Sequence, residues 1–234
     1  HEKVGQDFKG NQYVYLDSSY QFLNITQSKK THAVKSRLGD LPAISETVTE
    51  EGLVILSAET TPSDVTYETW DKFSSFIKSK GLDWVLAKHK ERKLPEKNFV
   101  ESYRRFAKSL IKVGHGKGKD RALGLGFEWV VETNPYTAFD TASNIKKQIT
   151  IKAQLLWKGK PHAKAHVSVF NKVEGDIIKS ELTTDENGRV EIPRARGGMF
   201  LINAVQMIEA PKNMIKERSA VWESHWASVT YRLD

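Results

Sequence analysis

The hydrophobic period changes twice along the chain, and that succession constrains the fold more than any single residue does. Up to about Thr61 the pattern reads β. Tyr13-Val14-Tyr15-Leu16 and the stretch Tyr20 to Ile25 are rich in aromatic and β-branched residues and flank an Asp17-Ser18-Ser19 turn. Leu53-Val54-Ile55-Leu56 is a continuous apolar run, as in a strand covered on both faces. From Pro62 the period becomes helical, with Tyr67, Trp70, Phe73 and Ile77 in phase and Gly81 placed to end the helix. A short helix over Trp84 to Arg92 follows. A third is predicted from Phe99 to about Lys112. It puts Phe99, Val100, Tyr103, Phe106, Ala107, Leu110 and Ile111 on one stripe and Glu101, Arg104, Arg105, Lys108 and Lys112 off it.

After Gly114 the pattern returns to β. Leu123 to Val131 reads as a strand. Ile149, Ile151, Ala153, Leu155 and Trp157 alternate with polar residues, as on a half-buried strand. Ala165 to Phe170, Ile177 to Thr183, Met199 to Met207 and His225 to Tyr231 follow, with a hairpin turn expected at Asp185-Glu186-Asn187-Gly188. The prediction is a mainly β protein of two antiparallel β-sandwich (immunoglobulin-like) domains. Residues 1–146 form the first, carrying a helical insertion over about 62–113, and residues 147–234 form the second. The boundary falls in the polar stretch Thr141 to Gln148.

Composition removes several functions. There is no cysteine, so disulfides, thiolate metal sites and Cys nucleophiles are excluded. No window approaches the 18 or so uninterrupted apolar residues of a membrane span. The net charge of +7 suits anionic partners, but it is diffuse. Lys108 to Arg121 holds five of the 36 Lys and Arg residues, without the aromatic interleaving of a nucleic-acid binder. No targeting segment with an apolar core opens the chain, which implies a cytosolic protein or a mature, trimmed form.

Metal ligands must therefore come from His, carboxylate or amine groups. His1, read as a mature N-terminus, offers an α-amine and an imidazole in one bite, a set suited to Cu(II) or Ni(II). The alternative is a tag remnant. His115 stands in the basic loop Gly114-His115-Gly116-Lys117-Gly118-Lys119-Asp120, a second metal candidate and, with Lys117 and Lys119, an anion-facing one. Arg104, Arg105 and Lys108 extend that anion-binding set. Otherwise Glu101 pairs with Arg104 or Arg105 along a helix, and the loop is a solvated connection. His162 and His166, spaced H-x3-H, lie about 13 Å apart on a strand and read as surface residues. The Asp185 turn lacks an EF-hand's final Glu, since Arg196 stands there. Neither G-x-S-x-G nor H-E-x-x-H occurs, and no carboxylate pair supports glycoside hydrolysis.

Four ordered segments carry a resemblance: Thr66 to Phe73, Tyr103 to Leu110, Gly126-Phe127-Glu128-Trp129 running to Asn134-Pro135-Tyr136, and Trp222 to Ser228. With the turn Thr184 to Val190 between the last two, the chain resembles domain-of-unknown-function family 4198, over nearly its whole length from Val4. Members are often described as NikM-like periplasmic components of nickel or cobalt uptake. The resemblance implies an exported, non-enzymatic protein of a Gram-negative bacterium, its signal peptide removed. It would bind a nickel, cobalt, copper or iron species, or an anionic chelate such as a siderophore. Its partners would be a membrane transporter, a TonB-dependent receptor or a PepSY-type reductase, without nucleic acid and without membrane insertion. The alternative is an interaction module that docks such a complex and binds no metal itself.

Overall fold

The computed structural model describes residues 4–6, 8–137, 150–193 and 197–233 of the 234. In chain order, β1 (Val4–Gln6) and β2 (Lys9–Asn11) form a small ribbon. Then come β3 (Tyr20–Gln27), β4 (Lys30–Ala33), β5 (Gly52–Thr60) and β6 (Ser63–Tyr67). Helices α1 (Trp70–Ser79) and α2 (Trp84–Glu91) precede β7 (Phe99–Val113) and β8 (Phe127–Val131). The rest comprises β9 (Thr150–Trp157), β10 (Lys160–Pro161), β11 (His166–Val173), β12 (Asp176–Thr183), β13 (Arg189–Pro193), β14 (Gly198–Glu209), α3 (Lys212–Arg218) and β15 (Ala220–Leu233).

The fold is mainly β and of the sandwich type. A nine-stranded sheet runs β12-β11-β14-β15-β7-β5-β3-β4, with β6 also paired to β7. A four-stranded sheet is built on β9, which pairs with β8, β10 and β13. Between the two lies the main core. Phe106, Leu110, Val167, Ile202, Val229 and Tyr231 come from the large sheet, and Trp129, Ile151, Ala153, Leu155 and Ile192 from the small one. The opposite face of the large sheet carries the helices. Phe73, Ile77 and Val85 bury against Tyr67, Phe99, Met207, Trp222 and Trp226. Each such large apolar side chain contributes about 1.5–3 kcal/mol on burial. No helix among the described residues is long and apolar enough to cross a membrane.

The first two helices form where the sequence reading puts them, except that Ser63–Tyr67 is strand β6 and α1 begins only at Trp70. The Thr69 side chain caps α1 by accepting from the Lys72 amide, and Gly81 follows its end with φ +65°. A Cβ at Gly81 would stand 2.8 Å from that of His166, so glycine also lets the helix end sit on β11.

The third predicted helix is instead strand β7, so the 62–113 insertion is helical only over α1 and α2. The reason is burial on both faces. Phe99 joins the helix-side cluster and Tyr103 packs against it, while Phe106 and Leu110 join the sandwich core. Sampling two strand faces at 99, 103, 106 and 110 gives spacings of four, three and four, which imitate a helical stripe. Glu101 and Lys108, off that stripe, are buried as well.

Other elements shift too. Tyr13 to Leu16 forms no strand, and β8 begins at Phe127 rather than Leu123. The Asp185 turn is tight, with Asp185 Oδ1 accepting from the amides of Asn187 (2.8 Å) and Arg189 (2.7 Å). It joins no hairpin, because β12 pairs with β11 and β13 with β9, so the turn hands the chain from one sheet to the other. Thr141 to Gln148 lie outside the described residues. The large sheet draws strands from both sides of that stretch, and its two halves meet where β7 and β15 run parallel.

Candidate functional site

Successive side chains of a strand point to opposite faces. On β7 this separates the candidate cations. Arg104 and Lys108 face the sandwich core with Phe106, whereas Arg105 faces the helices with Glu101 and Tyr103.

Lys108 belongs to the interior. Its side chain is 1% exposed, and its Nζ lies 2.7 Å from Asp120 Oδ1 and 3.1 Å from Glu128 Oε1. It also donates to the carbonyls of Arg121 and Trp129, each at 2.9 Å. Both carboxylates have further partners. Asp120 Oδ2 accepts from the Val131 amide at 2.7 Å, and Glu128 accepts from the amides of Leu123, Gly124 and Leu125. Two carboxylates and two carbonyls take up the Lys108 ammonium inside the fold, so Lys108 offers nothing to an external anion. This corrects the reading of Lys108 as a ligand-binding residue.

Arg104 sits in a half-open cluster at one end of the sandwich. Its Nε donates to Glu223 Oε1 at 2.9 Å, and its Nη1 is 4.0 Å from Glu59 Oε1. His225 stacks on Phe106 with the ring planes 8° apart, meets Trp157 edge-on at 4.9 Å, and places Nε2 3.5 Å from Glu223. Burial opposes the Glu223 charge, but His225 and Arg104 outweigh it and hold the carboxyl below its usual range. Glu59 moves the other way, because burial raises it more than Arg104 and His225 lower it. His162 completes the edge of this cluster, with Nε2 3.1 Å from Gln206 Oε1. Burial lowers its basicity. It is thus half-buried and hydrogen-bonded rather than a surface residue.

Glu101 pairs with neither arginine. It accepts from the Tyr67 hydroxyl at 2.9 Å and from the Ser224 hydroxyl, while Trp226 Nε1 donates to Ser224 Oγ at 3.0 Å. Burial pushes its carboxyl up to about 7, against the two hydroxyl donors.

Arg105 is the cation without a carboxylate. Its guanidinium carbon lies 5.3 Å from the Tyr103 ring centroid and 5.2 Å from that of Trp226. Its Nε is buried and has no hydrogen-bond partner among the described residues.

His115, Lys117 and Lys119 stand exposed on the loop that follows β7. Here the loop is anchored rather than merely solvated. The Leu53 amide donates to the Lys117 carbonyl at 2.8 Å, and Asn134 Nδ2 donates to the carbonyls of Gly116 and Gly118. At Gly118, with φ +145°, a Cβ would stand 2.9 Å from that of Leu53. His115 is already engaged, its Nδ1 accepting from the Lys117 amide and its Nε2 3.3 Å from Glu51. Arg121 Nη1 reaches the Ser28 carbonyl at 2.6 Å, tying the loop to the β3–β4 turn that carries Lys29 and Lys30.

His1 lies outside the described residues. Among the described residues, no three His, Asp or Glu side chains converge to hold a metal ion. Sequence reasoning named Arg104, Arg105 and His115 but missed the groups that surround them. These are His225 and Glu223 beside Arg104, and Trp226 beside Arg105. The available signal was polar residues inside otherwise apolar strands, as in Glu223-Ser224-His225.

The family model described as a domain of unknown function, DUF4198, matches residues 3–208. No curated protein and no solved structure matches the chain.

Proposed function

The chain belongs to the DUF4198 family, and from that premise we propose that it is a non-enzymatic, exported accessory protein of transition-metal uptake. It receives an anionic metal chelate of nickel, cobalt or iron and passes it to a membrane transporter or reductase. The observation that carries this reading is the anchored basic loop. Lys117 and Lys119 are exposed on a backbone fixed to β5, and Arg121 ties them to the turn bearing Lys29 and Lys30. A surface cleft of about 170 Å³, lined by Gln27, Lys30, His32 and Glu50 among others, opens beside them. Cations on a fixed backbone beside a shallow cleft suit a multivalent anion, because their field concentrates it there.

The direct test is calorimetric titration with ferric citrate. The wild type should bind saturably, and K117E/K119E should lose most of that affinity while keeping its melting temperature. Equal binding by both proteins removes the loop from the function, and no binding by either removes the chelate.

The edge strand β12 favours a second reading, a docking module. It ends the nine-stranded sheet, most of its residues are exposed, and Ile178 is 62% exposed. Such an edge accepts an added strand from a partner. If the wild type recovered a membrane partner that Ser180→Pro lost, while neither protein bound chelate, this reading would replace the first.

A further inference from the structure

Arg105 presents a problem that the fold leaves unsolved. A guanidinium stays charged in a protein, and a buried charge is costly unless an anion or full hydrogen bonding compensates it. The rings of Tyr103 and Trp226 flank Arg105, and Tyr103 is also a side-chain hydrogen-bond partner of the guanidinium. Yet Nε is buried without a hydrogen-bond partner, and Arg105 forms no ion pair among the described residues. Burial lowers its basicity, and Tyr103 is the group that opposes this. A second cation adds to the field, since Lys80 Nζ at the end of α1 lies 5.2 Å from the same Trp226 ring.

The neighbouring strands repeat the pattern. Trp226 pairs with Arg105 across the parallel seam, and Asn203 pairs with Ser228 on the next strand. Asn203 Oδ1 on β14 and His166 Nε2 on β11 are buried and also lack hydrogen-bond partners, although His166 Nε2 lies 3.8 Å from Glu181 Oε1. Both lie on the helix-side face, because their neighbours Ile202 and Val167 fill the sandwich core. At about 4.8 Å per strand, the patch from β7 to β11 is roughly 14 Å wide.

We propose that this face binds a small organic carboxylate, with Arg105 as its anchor and Asn203 available to the ligand's remaining polar group. A carboxylate is the chemistry that fits. It is planar, it accepts two parallel hydrogen bonds from a guanidinium, and it supplies the missing negative charge. The site is separate from the loop of Lys117 and Lys119, so each stands or falls without the other.

The test is calorimetric titration of the whole chain with acetate, succinate, benzoate and inorganic phosphate, beside Arg105→Lys, Arg105→Met and K117E/K119E. At least one carboxylate should bind saturably to the wild type and equally to K117E/K119E. Arg105→Lys, which keeps the charge and loses the fork, should weaken it about tenfold or more, and Arg105→Met should remove it. Absence of saturable carboxylate binding overturns the proposal, as does unchanged affinity in Arg105→Lys. Phosphate binding more tightly than every carboxylate overturns the assigned ligand class. Should Arg105→Met fail to fold by circular dichroism, Arg105→Lys decides alone, because it keeps a cation beside the two rings.

Discussion

Lys108 and Arg105 stand three residues apart on one strand, on opposite faces, and meet opposite fates. Lys108 has two carboxylates and two carbonyls around it. Arg105 has two aromatic rings and an Nε with no acceptor. The first arrangement is closed and can only be damaged by change. The second leaves one buried donor without an acceptor, which the proposed carboxylate would supply. A buried charge by itself is therefore no mark of function. What separates the two is whether the fold already holds the counter-charge.

The largest expected effect lies on the closed side. Lys108→Met leaves Asp120 and Glu128 buried without their cation and should cost about 3–5 kcal/mol in denaturant unfolding. A loss below about 1 kcal/mol would mean that the triad is not the internal tie described above. Next comes Glu101, which shares the face of Arg105. Its carboxyl rises from 4.5 to about 7 in the fold, so the native state holds the extra proton. The stability tied to that proton is fully present below about pH 4.5 and is lost as pH rises through about 7. The amount is on the order of 3 kcal/mol. Glu101→Gln should therefore flatten the decline of melting temperature between pH 5 and 8, and parallel curves for the two proteins would refute the assignment.

Arg105→Met should be mild by comparison, within about 1 kcal/mol in the absence of ligand, since it removes an unsatisfied charge and keeps an apolar stem. A loss as large as that for Lys108→Met would make Arg105 structural and erase the contrast. The smallest effect belongs to Lys72→Ala, which breaks an exposed pair with Glu68 on α1 and should leave the melting temperature unchanged.

Local features were legible in the sequence where a single face or a single turn decided them. Phe73 and Ile77 mark the buried side of α1, and Gly81 marks its end. Ile151, Ala153 and Leu155 mark the inner face of β9. Legibility failed on β7, where two buried faces erase the alternation that identifies a strand. The same error hid the site. Arg104 and Arg105 read as neighbours on a helix, but a strand sends them to opposite layers, to Glu223 and to Trp226. Those partners lie about 120 residues away in the chain, and no local pattern connects them.

The parallel seam of β7 with β15 also sets a timetable. Ser109 meets Thr230 across it, so of this sheet's strands the last one made lies in its middle. Until residue 233 leaves the ribosome, β7 and β14 each have one unpaired side. Neither half can finish early and wait, and both expose an edge that invites pairing with other chains. Completion of the large sheet is thus a single late event, governed by contacts remote in sequence and correspondingly slow. A nascent chain stalled just before Ala220 should remain sensitive to protease throughout the large sheet, the N-terminal strands included.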